Sequence, residues 1–203
     1  MMEAKHDDIG LHRGWHRRGY LPHRDDPGIV QAVTFRLADS LPQQLIEPWS
    51  DSLLRMKPSD ARVARMRYVA EALDTNLGRC WLQRPEIAQM IEAALLHFDG
   101  TRYRLLAWCI MPNHVHALIA MFDGMPLDQI IHSWKSFTAR ECNRLLGRSG
   151  ALWARDYYDR YIRDDDHLTI AAAYIESNPV KAHLMESPEQ WRWSSAWHRA
   201  NTA

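Results

Sequence analysis

Apolar positions along this 203-residue chain follow two rhythms. From Ile29 to Ala38 (Ile-Val-Gln-Ala-Val-Thr-Phe-Arg-Leu-Ala) they alternate with a period near two, which predicts a first strand. Tyr103 to Ile110 and His116 to Phe122 predict a pair of strands meeting at a short turn around Pro112-Asn113, and Asp156 to Arg163 predicts a short fourth strand. Residues 42 to 100 read as helical. Asp60 to Leu77 places Val63, Met66, Val69, Ala70 and Leu73 at helical spacing, with Gly78 to stop it. Pro85 opens a helix to about Phe98, and Pro126 to Leu146 predicts a third. His167 to about Ser177 predicts a fourth, capped by Asp165 or Asp166, with a last short helix past Pro179 to Met185. Asp39-Ser-Leu-Pro42 reads as another helix start, with Asp39 or Ser40 as its cap.

This order predicts an α+β fold of the ferredoxin-like split βαβ kind. It has an antiparallel sheet, a helical insertion over about 55–100, and a late helix carrying Tyr174. Such a sheet can carry helices on one face and leave the other for a site. The length suits one domain with additions, here 29–185. Residues 1–28 read as an irregular N-terminal extension, and 186–203 as a tail rich in tryptophan (Trp191, Trp193, Trp197).

Composition narrows the classes. Twenty-five cationic residues balance 25 anionic ones, so whole-chain charge gives no support for nucleic-acid binding and any basic surface must be local. One local group lies in the extension: Arg13, Arg17 and Arg18 interleave with Trp15 and Tyr20, a mixture that can grip a strand by charge and stacking, or simply be a solvated tail. The first residues lack the apolar core of a signal peptide, no run approaches a membrane span, and Cys80, Cys109 and Cys142 lack disulfide or zinc-cluster spacing. A reducing cytoplasm is the expectation.

The strongest candidate chemistry is His114-Val115-His116. Strand residues two apart share a face, so both imidazoles stand side by side, roughly 7 Å apart at their Cα atoms, while Val115 faces a core. Two imidazoles on one face are half of a metal site, or two buried histidines satisfied by hydrogen bonds. Tyr174 and Asn178 lie four apart, one helical turn. A tyrosine can attack phosphorus if its surroundings help it lose its proton, or it can be a core residue. Asn178 before Pro179 can ligate a cation or cap a helix. Tyr157, Tyr158 and Tyr161 are rival nucleophiles. No glycine-rich phosphate loop occurs, and Ser194-Ser195 carries no nucleophile-elbow motif.

Further segments join these into a series: Gly19-Tyr-Leu-Pro-His23, Val33-Thr-Phe-Arg-Leu37, Trp108-Cys-Ile-Met-Pro-Asn-His-Val-His116, Trp134-Lys-Ser-Phe-Thr-Ala139, Leu152-Trp-Ala-Arg-Asp-Tyr-Tyr-Asp-Arg-Tyr-Ile-Arg163, Tyr174-Ile-Glu-Ser-Asn-Pro-Val-Lys181 and Trp191-Arg-Trp-Ser-Ser195. In that order the chain resembles the REP-associated tyrosine transposases, relatives of the single-tyrosine HUH transposases. The resemblance covers roughly residues 14 to 197 and is weakest over 55 to 100. Ile175-Glu-Ser177 is more polar than the family pattern.

The resemblance implies cleavage and rejoining of single-stranded DNA at or near hairpins of repetitive extragenic palindromes. By it, Tyr174 is the nucleophile that forms a 5′-phosphotyrosine, and His114, His116 and Asn178 hold a divalent cation, Mg²⁺ or Mn²⁺. Arg13, Arg17, Arg18, Lys135, Arg140, Arg155 and Arg163 are candidates for gripping DNA. The expected protein is cytoplasmic, nucleoid-associated through DNA, away from membranes, and a monomer or homodimer. A DNA-hairpin binding protein that has lost transposition shares every binding feature. A small-molecule hydrolase using the histidine pair is a third reading; histidine-triad enzymes need another alternate histidine, and that position is Leu118.

Overall fold

In the computed structural model, residues 14–18, 21–26, 28–41, 53 and 55–202 are described. The helix expected from Pro42, and Arg13, Gly19 and Tyr20, lie outside them. The elements are β1 (Gly14–Arg18), β2 (Leu21–Asp25), β3 (Val30–Arg36), α1 (Pro58–Asp74), α2 (Pro85–Leu96), β4 (Tyr103–Ile110), β5 (His114–Met121), α3 (Leu127–Leu145), β6 (Tyr158–Tyr161), α4 (Asp165–Glu176), α5 (Asn178–Lys181) and α6 (Ser195–Asn201).

Four strands form an antiparallel sheet in the order β4-β5-β3-β6. Its two central strands are the first and third, as the ferredoxin-like arrangement requires. One face packs on α2 and α3, through Val33, Phe35, Val115, Ala117, Ile119, Ile87, Ile91, Leu95, Ile130 and Trp134. The opposite face takes α4, through Ala107, Cys109, Leu118, Ile175, Leu168 and Ala171. The sheet therefore carries helices on both faces, and α4 covers the one that such a sheet can leave for a site. This double burial is why β4 and β5 read as nearly continuous apolar runs. A register shift between Leu105 and Ala107 re-phases β4, so Tyr103 and Trp108 share the first core although their positions differ by an odd number.

The segment read as irregular contains an antiparallel hairpin, with Gly14 opposite Asp25 and Arg18 opposite Leu21. Its strands are polar and one carries Pro22, so the usual apolar alternation is missing. The tryptophan-rich tail runs along the β4 edge. Ile110 N donates to Trp193 O at 2.8 Å, and Trp191 Nε1 donates to Ile110 O at 2.9 Å. An edge strand with free backbone groups would be a pairing hazard, and this segment occupies it. No helix among the described residues is long and apolar enough to cross a membrane.

Two helix starts differ in detail from the sequence reading. Asp164, not Asp165 or Asp166, caps α4: its Oδ1 accepts from His167 N at 2.7 Å. Asp165 and Asp166 lie inside the first turn, where negative charge suits the helix dipole. Ser177, not Asn178, is the N-cap position of α5. The neighbours of the other two predicted caps are also fixed. Asp39 Oδ2 accepts from Arg79 N at 3.1 Å, and Ser40 Oγ donates to Leu37 O at 2.8 Å. Gly78, with φ of 89°, lies so close to Asp39 that a Cβ there would stand 2.8 Å from its carbonyl oxygen. Both the left-handed backbone and the close approach require glycine.

Candidate functional site

His114 and His116 open β5, and strand alternation turns both toward α4, away from Val115. Their hydrogen bonds fix the rings one after another. Asn113 Nδ2 donates to the carbonyls of Leu73 and Leu77, at 3.3 and 3.0 Å, where α1 ends. That leaves Asn113 Oδ1 facing His114 Nδ1 at 2.6 Å. An amide oxygen only accepts, so His114 carries its proton on Nδ1 and presents a lone pair at Nε2. His114 Nε2 and His116 Nε2 stand 2.9 Å apart. In the metal-free protein the proton between them is therefore on His116 Nε2. Thr34 Oγ1, 2.7 Å from His116 Nδ1, then donates to it. Thr34 is the cross-strand partner of His116 on β3.

Both rings are neutral at pH 7. Burial, reinforced by Lys181, drives His116 down to about 3. Burial, reinforced by His116, holds His114 well below the ordinary histidine value. Neutral imidazoles are the form that ligates metal.

Tyr174 lies beside this pair on the same chain, its ring centroid 6.2 Å from that of His116. Tyr174 is 40% exposed, so its hydroxyl edge is open to an incoming ligand. Its packed flank, and then the Asp74 carboxylate at the end of α1, raise it above the ordinary tyrosine value. It is protonated at neutral pH. Lys181 Nζ rests 3.5 Å from the centroid of the same ring.

Asn178 is fully buried, and its Nδ2 donates to Tyr174 O and Ile175 O at 2.8 and 3.1 Å. The amide thus closes the end of α4 from behind instead of capping α5. Its Oδ1 is buried with no hydrogen-bond partner. Orphaned buried acceptors are rare and call for a reason.

These groups fit a divalent cation. Two ligand atoms at right angles around an octahedral ion, each at about 2.1 Å, lie about 3 Å apart, close to the observed Nε2 separation. The unsatisfied Asn178 oxygen is a third, hard donor. Among the described residues no group of three or more His, Cys, Asp or Glu side chains gathers. The donor set here is two imidazoles and an amide.

The tyrosine helix is also anchored from the far side. Glu176 is buried, and its oxygens accept from Arg199 Nη1 and Nη2 at 2.6 and 2.5 Å. Ser195 Oγ, which accepts from Trp108 N at 3.0 Å, donates to Glu176 Oε1. Glu176 therefore ties α4 to the tail and to β4.

The rival tyrosines are placed differently. Tyr157 is buried in the α2/α3 core. Tyr158 stands opposite Thr34 on β6, against the Val69 and Leu73 cluster. Tyr161 pairs with Gln31, further along β3.

The candidate DNA-gripping residues are dispersed. Lys135 Nζ donates to Ala154 O and Arg155 O, at 2.7 and 2.9 Å, so its ammonium holds the loop before β6. Lys135 and exposed Arg155 line one cleft of about 290 Å³ with Ser136 and Trp153. Arg140 and Arg144 both reach Glu141 at 3.1 Å. Arg163 precedes α4, its backbone N–H donating to His167 Nδ1 at 3.3 Å. Arg17 and Arg18 fall on β1.

Thr34, Asn113 and Lys181 escaped the sequence reading. Lys181 had a signal there: Tyr174, Asn178 and Lys181 are spaced four and three apart, one helical stripe.

Residues 82–178 match the family model described as transposase IS200-like. A Haemophilus influenzae (strain Rd) protein, provisionally named a REP-associated tyrosine transposase, is 33% identical over 107 residues, which cover 48% of this chain and 60% of the relative. The chain therefore matches less than two thirds of that relative's length. The solved structure of a REP-associated tyrosine transposase bound to a REP hairpin superposes with a TM-score of 0.54, over 92% of this chain and 86% of that one. At 18% identity this likeness is one of fold. The family model and the relative match part of the chain that carries the motifs, and the solved structure matches its fold.

Proposed function

We propose that the chain is a metal-dependent endonuclease and strand-transferase acting on single-stranded DNA at or beside hairpins of repetitive extragenic palindromes. The observation that carries this reading is a half-exposed phenol beside two neutral, converging imidazoles. The hairpin-bound protein of like fold supports the choice of DNA.

Tyr174 Oη attacks the phosphorus of a backbone linkage. The new bond is Oη–P and the broken one P–O3′. The phenol proton passes to solvent, and the leaving 3′-oxygen takes a proton in turn. One phosphodiester replaces another, so the 5′-phosphotyrosine retains the bond for rejoining and no nucleotide cofactor is needed. His114, His116 and Asn178 would hold the divalent cation, Mg²⁺ or Mn²⁺, which when bound neutralises phosphate charge and stabilises the leaving oxygen. Asn113 keeps the His114 lone pair aimed into the site. Asn178 and Glu176 fix the helix that presents the phenol. Arg155 and Arg163, with Arg13, Arg17 and Arg18 of the N-terminal region, would engage flanking phosphates. The work would be done at the nucleoid, in the cytoplasm.

The test is a covalent adduct. Protein incubated with hairpin DNA from beside its own gene and Mn²⁺ should yield a protein–DNA band that survives denaturation. Tyr174→Phe should abolish it and leave hairpin affinity within about twofold. An adduct persisting in Tyr174→Phe but lost in Tyr158→Phe would move the nucleophile to β6. Hairpin binding without any adduct in the unaltered protein would make it a binding module.

A further inference from the structure

We propose that Lys181 is a substrate-binding residue that holds a non-bridging oxygen of the phosphodiester lying against Tyr174. The inference deepens the functional reading above and rests on it for the identity of the strand.

Three observations carry it. The Lys181 ammonium sits over the Tyr174 ring at 3.5 Å from the centroid, within one phenol's width of the hydroxyl. A phosphate in attacking range of that hydroxyl therefore comes within reach of the ammonium, and a cation over a ring face still has donors to spend. Second, its backbone is fixed. Lys181 ends α5, where Lys181 N donates to Ser177 O at 3.0 Å and Ala182 N donates to Asn178 O at 2.9 Å. The same short helix holds the buried Asn178 amide, so cation, amide and phenol form one stripe.

Third, several cations elsewhere in the fold are already engaged. Arg199 pairs with Glu176, Arg192 with Glu92, Arg140 and Arg144 with Glu141, and Lys135 with two carbonyls. Among the described residues Lys181 has no carboxylate within 4.0 Å, and it is exposed. Asp74 acts on it only at longer range. An exposed ammonium beside the phenol, without an ion-pair partner, is suited to an anion that arrives with the substrate.

The test removes one phosphate charge at a time. Single strands of the hairpin flank are made with one neutral methylphosphonate at each successive linkage. Affinity is measured by anisotropy on the full chain, in Tyr174→Phe and in Tyr174→Phe/Lys181→Met, so that no tyrosine adduct forms. Methionine keeps the aliphatic stem and removes the charge. At one linkage the methylphosphonate should weaken the Tyr174→Phe protein about tenfold, the size of one charge-assisted hydrogen bond, and the double variant less than about twofold. Lys181→Arg should keep most of the sensitivity at that linkage, and Mn²⁺ affinity measured calorimetrically should not change.

Equal losses in both proteins at every linkage would overturn the contact, and so would a loss of Mn²⁺ affinity in Lys181→Met, which would mean a disturbed site. Because these strands are not cut, the result stands apart from the adduct test. A Tyr174 adduct with no Lys181 coupling ends this inference alone. Coupling without an adduct removes the nuclease reading and keeps the phosphate contact.

Discussion

Asn113 Oδ1 accepts from His114 Nδ1 at 2.6 Å while the same amide's Nδ2 clamps two carbonyls at the end of α1. One side chain thus transmits the position of an added helix to the candidate metal ligand. Asn113→Ala should weaken Mn²⁺ binding about 10- to 100-fold, the usual cost of losing a partner that orients a ligating histidine. It should also cost about 1–3 kcal/mol of stability, because buried carbonyls lose their donor. Asn113→Asp keeps an acceptor for His114 and loses the donor, so its stability should fall comparably and its metal affinity less. Calorimetry with Mn²⁺ and urea unfolding read the two effects separately. Metal affinity unchanged in Asn113→Ala would mean that His114 needs no such support.

The buried histidines make metal-free stability depend on pH in a definite direction. In the unfolded chain His116 titrates near the ordinary value of about 6.5. In the folded protein burial keeps it neutral to about 3. Between these values the unfolded chain binds more protons, so this contribution is complete above about 6.5 and is lost as pH falls toward 3. The slope from His116 is up to about 1.4 kcal/mol per pH unit. Urea melts from pH 4 to 7.5 should show a shallower slope in His116→Gln than in the parent. Parallel slopes would show that His116 already takes up a proton in the folded protein.

Salt dependence separates the candidate arginines. Arg155 is exposed on the rim of the Lys135 cleft, whereas Arg140 already meets Glu141. Each phosphate contact on a single strand contributes about 0.7 to the slope of log affinity against log salt. Arg155→Ala should reduce that slope by about this amount, and Arg140→Ala should reduce it far less. Equal reductions would show that Arg140 exchanges Glu141 for phosphate.

Much of this fold can be read from periodicity because the sheet interior is apolar on both sides. Tyr103–Ile110 emerges with the bounds expected, and the two histidines share a face as strand alternation requires. What periodicity misses is polar and long-range. The Gly14–Asp25 hairpin is built from charged residues and a proline, which carry no strand rhythm. Thr34 and His116 are 82 residues apart, and only the register of β3 on β5 makes them neighbours. Lys135 reads as a free cation on a helix face, yet its ammonium is committed to a loop that closes in three dimensions. Asn178 presents two plausible duties in sequence. The fold divides them between atoms, with nitrogen on the helix end and oxygen left over.

Tyr174 meets the histidines of its own chain. In the proposed reaction a lone phenol would hold only one broken end at a time, and the 3′-hydroxyl released would have only that end to return to. Exchange between two different DNA ends would then call for two such molecules side by side, or for one molecule to let go and begin again, so crowding on the DNA rather than any step within the fold would set whether a cut is sealed or a segment moves.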